Sequence, residues 1–233
     1  MREPLPIVLV PGLLCTPRLY TEQLPALWRF GPVTVADHTR DSSMADIARR
    51  ILSLAPPRFA LIGLSMGGYV SFEILRQAPE RVAKLALLDT TARPDAPEQT
   101  EGRKRQIELA QGGKLGEIAR LLYPRFVAAA RHGDRALEAV VRQMADDTGA
   151  EAFVRQQTAI MNRVDSRPTL AAIRCPTLVV VGSEDTLTPP DRAAEMTAAI
   201  AGAREVVVPD CGHLSTLEQP EAVTRALVEF LGA

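Results

Sequence analysis

The sequence predicts an α/β protein: a mostly parallel sheet of about six strands with helices on both faces. Three observations predict it. Short β-branched runs alternate with helix-patterned segments along most of the chain. The apolar runs Ile7–Val10, Leu85–Leu88 and Leu178–Val181 are strand-sized, far below the roughly 20 residues of a membrane span. The chain has 233 residues, 46% hydrophobic and 24% charged, enough for one sizeable core but not for several.

Each element follows in order. Pro6–Val10 is a strand ending at Pro11-Gly12, and a helix is expected from Pro17 to Leu27. Val33–Ala36 is the second strand. Ser42 or Ser43 then caps a helix through about Leu54, with Met44, Ile47, Ala48 and Ile51 on one face. Phe59–Ile62 is the third strand and runs into a glycine turn. Tyr69–Gln77 is a helix stopped by Pro79, and Val82–Leu88 is the fourth strand. From Pro94 to Arg167 the β-branched runs cease and apolar residues recur at helical spacing, as in Leu115, Ile118, Leu121 and Leu122. Some 70 residues are too many for a loop, so short helices are expected there. Alternation resumes with the strand Thr177–Val181, a helix over Arg192–Ala201, the strand Glu205–Val208 and a helix over Glu221–Leu231. The organisation is therefore a core built from residues 1–93 and 168–233, with a helical insertion at 94–167 after the fourth strand.

Charge and composition exclude several classes. A formal net charge of -1 and the lack of any basic stripe argue against nucleic acid as a partner. The opening Met1-Arg2-Glu3-Pro4 shows no signal-peptide pattern, and Cys15, Cys175 and Cys211 have no paired spacing. A cytoplasmic protein with free thiols and no membrane association is expected. Three scattered histidines and three scattered cysteines form no metal motif, so neither metal nor other cofactor is expected.

Chemistry enters at Gly63-Leu64-Ser65-Met66-Gly67-Gly68, which fits G-x-S-x-G after a strand and before a helix. A serine on so sharp a turn needs small residues two before and two after it, and Gly63 and Gly67 hold those places. A glycine-rich phosphate loop would need a different glycine spacing. Ser65 is thus the candidate nucleophile. Its hydroxyl needs a base, itself oriented by a third group. Among the histidines, His38 and His132 read as surface residues. His213, between the last strand and the last helix, belongs to the carboxyl edge of the sheet, as does Ser65. Asp185 lies at that edge too and gives the chain order Ser, Asp, His. Asp89, at the end of the fourth strand, competes for the acid role, and Glu184 is a weaker alternative. Two backbone N–H groups should face the developing oxyanion: that of Met66, and that of Leu13, with Leu14 as alternate.

Four segments now carry a resemblance: Val10-Pro11-Gly12, Gly63 to Gly68, Gly182-Ser183-Glu184-Asp185 and Gly212-His213. On them the chain resembles the α/β-hydrolase family over essentially its whole length. Pro176–Gly182 and His213–Glu221 look especially like 3-oxoadipate enol-lactonases and related small carboxylesterases. The resemblance implies an α/β-hydrolase fold, a helical insertion that caps the active site, and a triad completed by Asp185 and His213. The chain departs from the family in having Pro11-Gly12 where His-Gly is common, and in lacking two opening strands. Ser65 separates it from relatives with an aspartate nucleophile.

The expected activity is cleavage of a small-molecule ester, lactone or thioester through an acyl-enzyme. The same triad also serves C–C hydrolysis, synthase-type elimination or perhydrolysis, and a ligand-binding protein with little turnover is a rival of another class. Candidate pocket residues are Leu14, Tyr123, Phe126, Met144, Met161 and Arg163, with Leu122, Phe153 and Arg125 beside them. A monomer or homodimer is expected.

Overall fold

The computed structural model describes residues 4–233; Met1–Glu3, on which the reading of the N-terminus partly rests, lie outside the described residues. Six strands, β1 (Ile7–Val10), β2 (Val33–Val35), β3 (Phe59–Leu64), β4 (Val82–Leu88), β5 (Thr177–Gly182) and β6 (Arg204–Val208), form one sheet in the order β2-β1-β3-β4-β5-β6. Every pairing is parallel.

Alternation along each strand divides the core into two layers. Ile7, Leu9, Ile62, Leu64, Leu88 and Val180 face one side, while Val8, Val10, Leu61, Leu85, Val179 and Val181 face the other. Both sides are covered, which is why the central strands are apolar at consecutive positions. Helices α2 (Met44–Leu54), α3 (Met66–Gln77) and α8 (Pro190–Ala199) pack on the second side. On the first lies α10 (Pro220–Gly232), through Val223, Leu227 and Phe230. Ser43 caps α2, its Oγ accepting the Asp46 N–H at 3.1 Å.

The helix expected over residues 17–27 is broken. Pro17–Tyr20 and Trp28–Phe30 are 3-10 turns, and between them α1 is a single turn, Leu24–Leu27. Pro25 would lie inside a continuous helix, without an N–H and against a carbonyl one turn back. At the other end of the chain a one-turn helix, α9 (Ser215–Glu218), precedes α10. Helix α3 begins at Met66, three residues earlier than its apolar spacing suggests, because Gly67 and Gly68 are helical.

Between β4 and β5 lie four helices: α4 (Pro97–Gln111), α5 (Leu115–Phe126), α6 (Arg135–Thr148) and α7 (Ala150–Met161). They pack as α4 on α7 and α5 on α6, and their buried Phe126, Met144 and Phe153 join the first-side core. Among the described residues no helix is long and apolar enough to cross a membrane.

Candidate active site

The turn from β3 into α3 holds Ser65 at φ 55° and ψ −113°, a region that residues with a Cβ rarely occupy. Tight packing enforces it. A Cβ on Gly63 would lie 2.3 Å from the Gly67 carbonyl oxygen, and one on Gly67 would lie 2.0 Å from that of Val10. The strained backbone is tied down on both sides: the Ser65 N–H donates to Leu88 O (2.9 Å), and the Thr90 hydroxyl donates to Ser65 O (2.7 Å). Strain held this way raises the serine above the sheet edge.

At that edge three side chains meet. Ser65 Oγ lies 2.8 Å from His213 Nε2, and His213 Nδ1 lies 2.8 Å from Asp185 Oδ2. With its proton on Nδ1, facing the carboxylate, the imidazole presents Nε2 as an acceptor to the serine hydroxyl. Asp185 is held by its own loop, its Oδ1 accepting the N–H groups of Leu187 (2.8 Å) and Thr188 (3.0 Å) and its Oδ2 the Thr188 hydroxyl (2.7 Å). Burial alone would raise the Asp185 pKa, but His213 and these donors hold it below the usual carboxylate value. Burial would likewise lower that of His213, and Asp185 overrides it, leaving the imidazole more basic than usual.

The two competing acids do not touch His213. Glu184 is exposed. Asp89 is fully buried, with Oδ1 accepting the Gly182 N–H (2.9 Å) and Oδ2 hydrogen-bonded to the Ser215 hydroxyl. Burial first, and then the Asp185 charge, push the Asp89 pKa to about 8.

The histidine turn is braced from the insertion, a contribution with no signal in the sequence. Phe126 O accepts the N–H groups of His213 (3.1 Å) and Leu214 (2.9 Å). The Phe126 ring stacks on the imidazole with centroids 6.2 Å apart. Buried Glu218 accepts the N–H of Gly212 (3.1 Å) and, with its other oxygen, that of Ala128 (2.7 Å). Spacing alone distinguishes it in no way from an exposed helix glutamate.

As first residue of α3, Met66 has an N–H without an intrahelical acceptor. Of the two loop candidates, Leu14 is committed elsewhere: at φ 58° its N–H donates to Gln156 Oε1 (3.2 Å). Leu13 instead lines the cavity beside Ser65. His38, expected at the surface, is buried, with Nε2 2.9 Å from Gly12 O and 3.1 Å from Gln156 Nε2. Burial lowers its pKa. The strand before it is too short to reveal that the next loop turns inward. His132 is exposed, as expected.

A cavity of about 590 Å³ opens over Ser65 and His213. Of the expected pocket residues, Phe126 and Arg163 line it, as does Leu122. Leu14, Tyr123, Met144 and Met161 do not. Leu14 and Met144 are buried in the core, and the Tyr123 hydroxyl donates to Arg131 O (2.8 Å) and Asp134 O (3.0 Å). Met161, at the end of α7, is half-buried away from the cavity. At helical spacing an apolar residue turned to the core and one turned to a cavity look alike.

Charge in the lining extends beyond Arg125 and Arg163, the two arginines already named as candidates from the sequence. Arg93, Arg103, Arg125, Arg163 and Arg192 all border the cavity, against Asp95 and Glu98. Asp95 bridges two of them, Arg103 (2.6 Å) and Arg163 (2.6 Å). The remaining Arg163 donors go to the carbonyls of Arg93 and Ile160, and its guanidinium lies 4.3 Å from the Tyr69 ring centre. Arg163 is therefore a buried strut. Arg93 is paired with Glu195 (2.9 Å) and Arg192 with its neighbour Asp191 (3.1 Å). Arg125 has no such partner among the described residues.

A parallel sheet with a strained serine turn at its carboxyl edge, met there by histidine and aspartate, defines a hydrolase of the α/β class. The chain belongs to the Alpha/beta hydrolase family, which it matches over residues 7–226. It is 28% identical over 229 residues to a pimeloyl-[acyl-carrier protein] methyl ester esterase of Edwardsiella ictaluri, spanning 95% of this chain and 86% of the relative. Its structure is similar to that of a thermophilic esterase from Thermogutta terrifontis with malate bound, at TM-score 0.88 and 33% identity, covering 98% of this chain and 89% of the other. The enol-lactonase from Burkholderia xenovorans LB400 superposes at TM-score 0.89 with 26% identity, covering 100% and 93%. The protein is accordingly an α/β-fold hydrolase.

Proposed function

We propose that the protein is a serine hydrolase that cleaves a small ester, lactone or thioester. The hydrogen-bonded chain Ser65–His213–Asp185, at 2.8 Å per link, carries this reading. Ser65 Oγ attacks the carbonyl carbon while His213 Nε2 takes its proton. Asp185 holds the tautomer and stabilises the imidazolium. The Met66 and Leu13 N–H groups receive the oxyanion. Its collapse expels the alcohol or thiol, which leaves with the proton from Nε2, and an acyl-Ser65 remains. Water then attacks that ester, His213 takes its proton and returns it to Ser65 Oγ, and the acid departs. The helical insertion acts as a cap whose α5 closes one side of the cavity. The test is labelling by a fluorophosphonate and turnover of p-nitrophenyl acetate. Ser65→Ala should abolish both; an unlabelled wild-type Ser65 would leave the fold as a ligand-binding module.

The uneven charge of the cavity favours an acyl or alcohol part bearing a carboxylate. Asp95 serves two guanidiniums, and Arg125 has no acidic partner among the described residues. The similar thermophilic esterase was solved with malate, a dicarboxylate, bound, which supports this reading. Arg125→Ala should raise KM for a monoester of a dicarboxylic acid about tenfold, one lost charge-assisted hydrogen bond, and leave that of the neutral diester nearly unchanged. Equal effects on both esters would sink the idea.

A further inference from the structure

One buried titratable group beside the site has no part in the chemistry above. Asp89 ends β4 at φ 44°, a strained corner anchored by its N–H on Val180 O (2.8 Å). From this corner, bonds run to all three loops that carry the reacting groups. Thr90 holds the Ser65 carbonyl (2.7 Å). Asp89 Oδ1 holds the N–H of Gly182, three residues before Asp185 (2.9 Å), and Oδ2 meets the hydroxyl of Ser215, two residues after His213. We propose that Asp89 is a positioning residue that works as a neutral carboxylic acid, clamping the end of β5 that carries Asp185 to the turn that carries His213. The inference rests on the serine-hydrolase reading of Ser65, His213 and Asp185.

A neutral acid suits the place. Two carboxylates sharing one dry site repel, so one keeps its proton. Asp185 has the imidazole, two N–H groups and a hydroxyl to stabilise its charge, whereas Asp89 has one N–H and one hydroxyl. The proton therefore stays on Asp89, which ionises only near pH 8. When Oδ2 carries the proton, Asp89 is the donor in its contact with Ser215 Oγ; when ionised it accepts the Ser215 hydroxyl there, and Oδ1 accepts from Gly182 in both forms. The other titratable groups that act on this corner are His213, Cys211 and Tyr20. Burial keeps the thiol and the phenol neutral far above that pH. Ionisation of Asp89 sets a second anion against Asp185 and pushes the acid loop off its register with His213.

An asparagine reproduces the neutral acid, with a carbonyl oxygen for Gly182 and an N–H for Ser215. A leucine reproduces neither. The experiment measures kcat and KM for p-nitrophenyl acetate from pH 6 to 10 in wild type, Asp89→Leu, Asp89→Asn and Ser215→Ala. Leucine should lower kcat about tenfold or more with KM within about twofold, and asparagine should recover most of that loss. Wild-type kcat should fall along an alkaline step near pH 8. The step should be absent from Asp89→Asn. In Ser215→Ala it should move to higher pH, because the serine hydrogen bond lowers the Asp89 pKa. The Ser215 variant carries the test if Asp89→Leu does not fold. Asparagine as slow as leucine, a step surviving in Asp89→Asn, or an unmoved step in Ser215→Ala would overturn the proposal. Fluorophosphonate labelling of wild-type Ser65, read separately, reports on the hydrolase reading itself.

Discussion

At His213 two opposing effects meet, burial disfavouring the imidazolium and Asp185 favouring it, and the second wins. The sign for activity follows directly. In the proposed mechanism His213 must be neutral to accept the serine proton, and a raised pKa keeps it protonated to higher pH. Activity should therefore disappear as pH falls through a value above the ordinary 6.5 of histidine. A pH profile of kcat/KM checks this; an acid limb at or below 6.5 would contradict it. Asp185→Asn should lower that limb and cost about 10⁴ in kcat, because the amide presents the wrong partner to Nδ1. Ser65, His213 and Asp185 were all legible as residues. Chain order already favours Asp185 over Asp89; what it does not record is the geometry, in which Asp185 reaches Nδ1 at 2.8 Å while Asp89 turns to Gly182 and Ser215.

Among elements, the insertion is bound to the core at the site itself. Helix α5 ends in Phe126 O on the histidine turn, and α7 sends Gln156 to the Leu14 N–H. The second contact holds the loop after β1 in a left-handed conformation that leucine does not favour. Gln156→Ala should leave the buried Leu14 N–H without a partner, at about 1–3 kcal/mol in urea unfolding. A drop in kcat with KM nearly unchanged should accompany it, because the adjacent Leu13 N–H loses its aim; unchanged kcat would remove the loop from the oxyanion role. Helix periodicity reveals the apolar stripes of α5 and α7 and nothing of such contacts, which join residues 142 apart in sequence. The broken first helix has a local cause, Pro25, that was present in the sequence but outweighed by the apolar spacing around it.

Over the whole molecule the formal charge is -1, yet five arginines gather at one cavity. Net charge is blind to such clustering, so composition argues against nucleic acid as a partner without revealing the polarity of the site. If the cavity recruits anionic substrates, kcat/KM for a dicarboxylate monoester should fall between about 0.05 and 0.5 M salt, as the Debye length shrinks below cavity dimensions. The neutral diester should be nearly indifferent. Parallel salt responses would assign the arginines to packing.

By itself the sequence determined the strand order along the chain, the place of the insertion and the serine turn. These are local matters of periodicity, proline and glycine, and a parallel sheet then brings the ends of β3, β5 and β6 to one edge. Tertiary structure alone supplied the contact of Asp185 with His213, the commitment of the Leu14 N–H to Gln156, and which of the cavity arginines lacks an acidic partner among the described residues. Hydrogen bonds form or fail over a few tenths of an ångström between segments far apart in the chain. No pattern within a short window of residues records that distance.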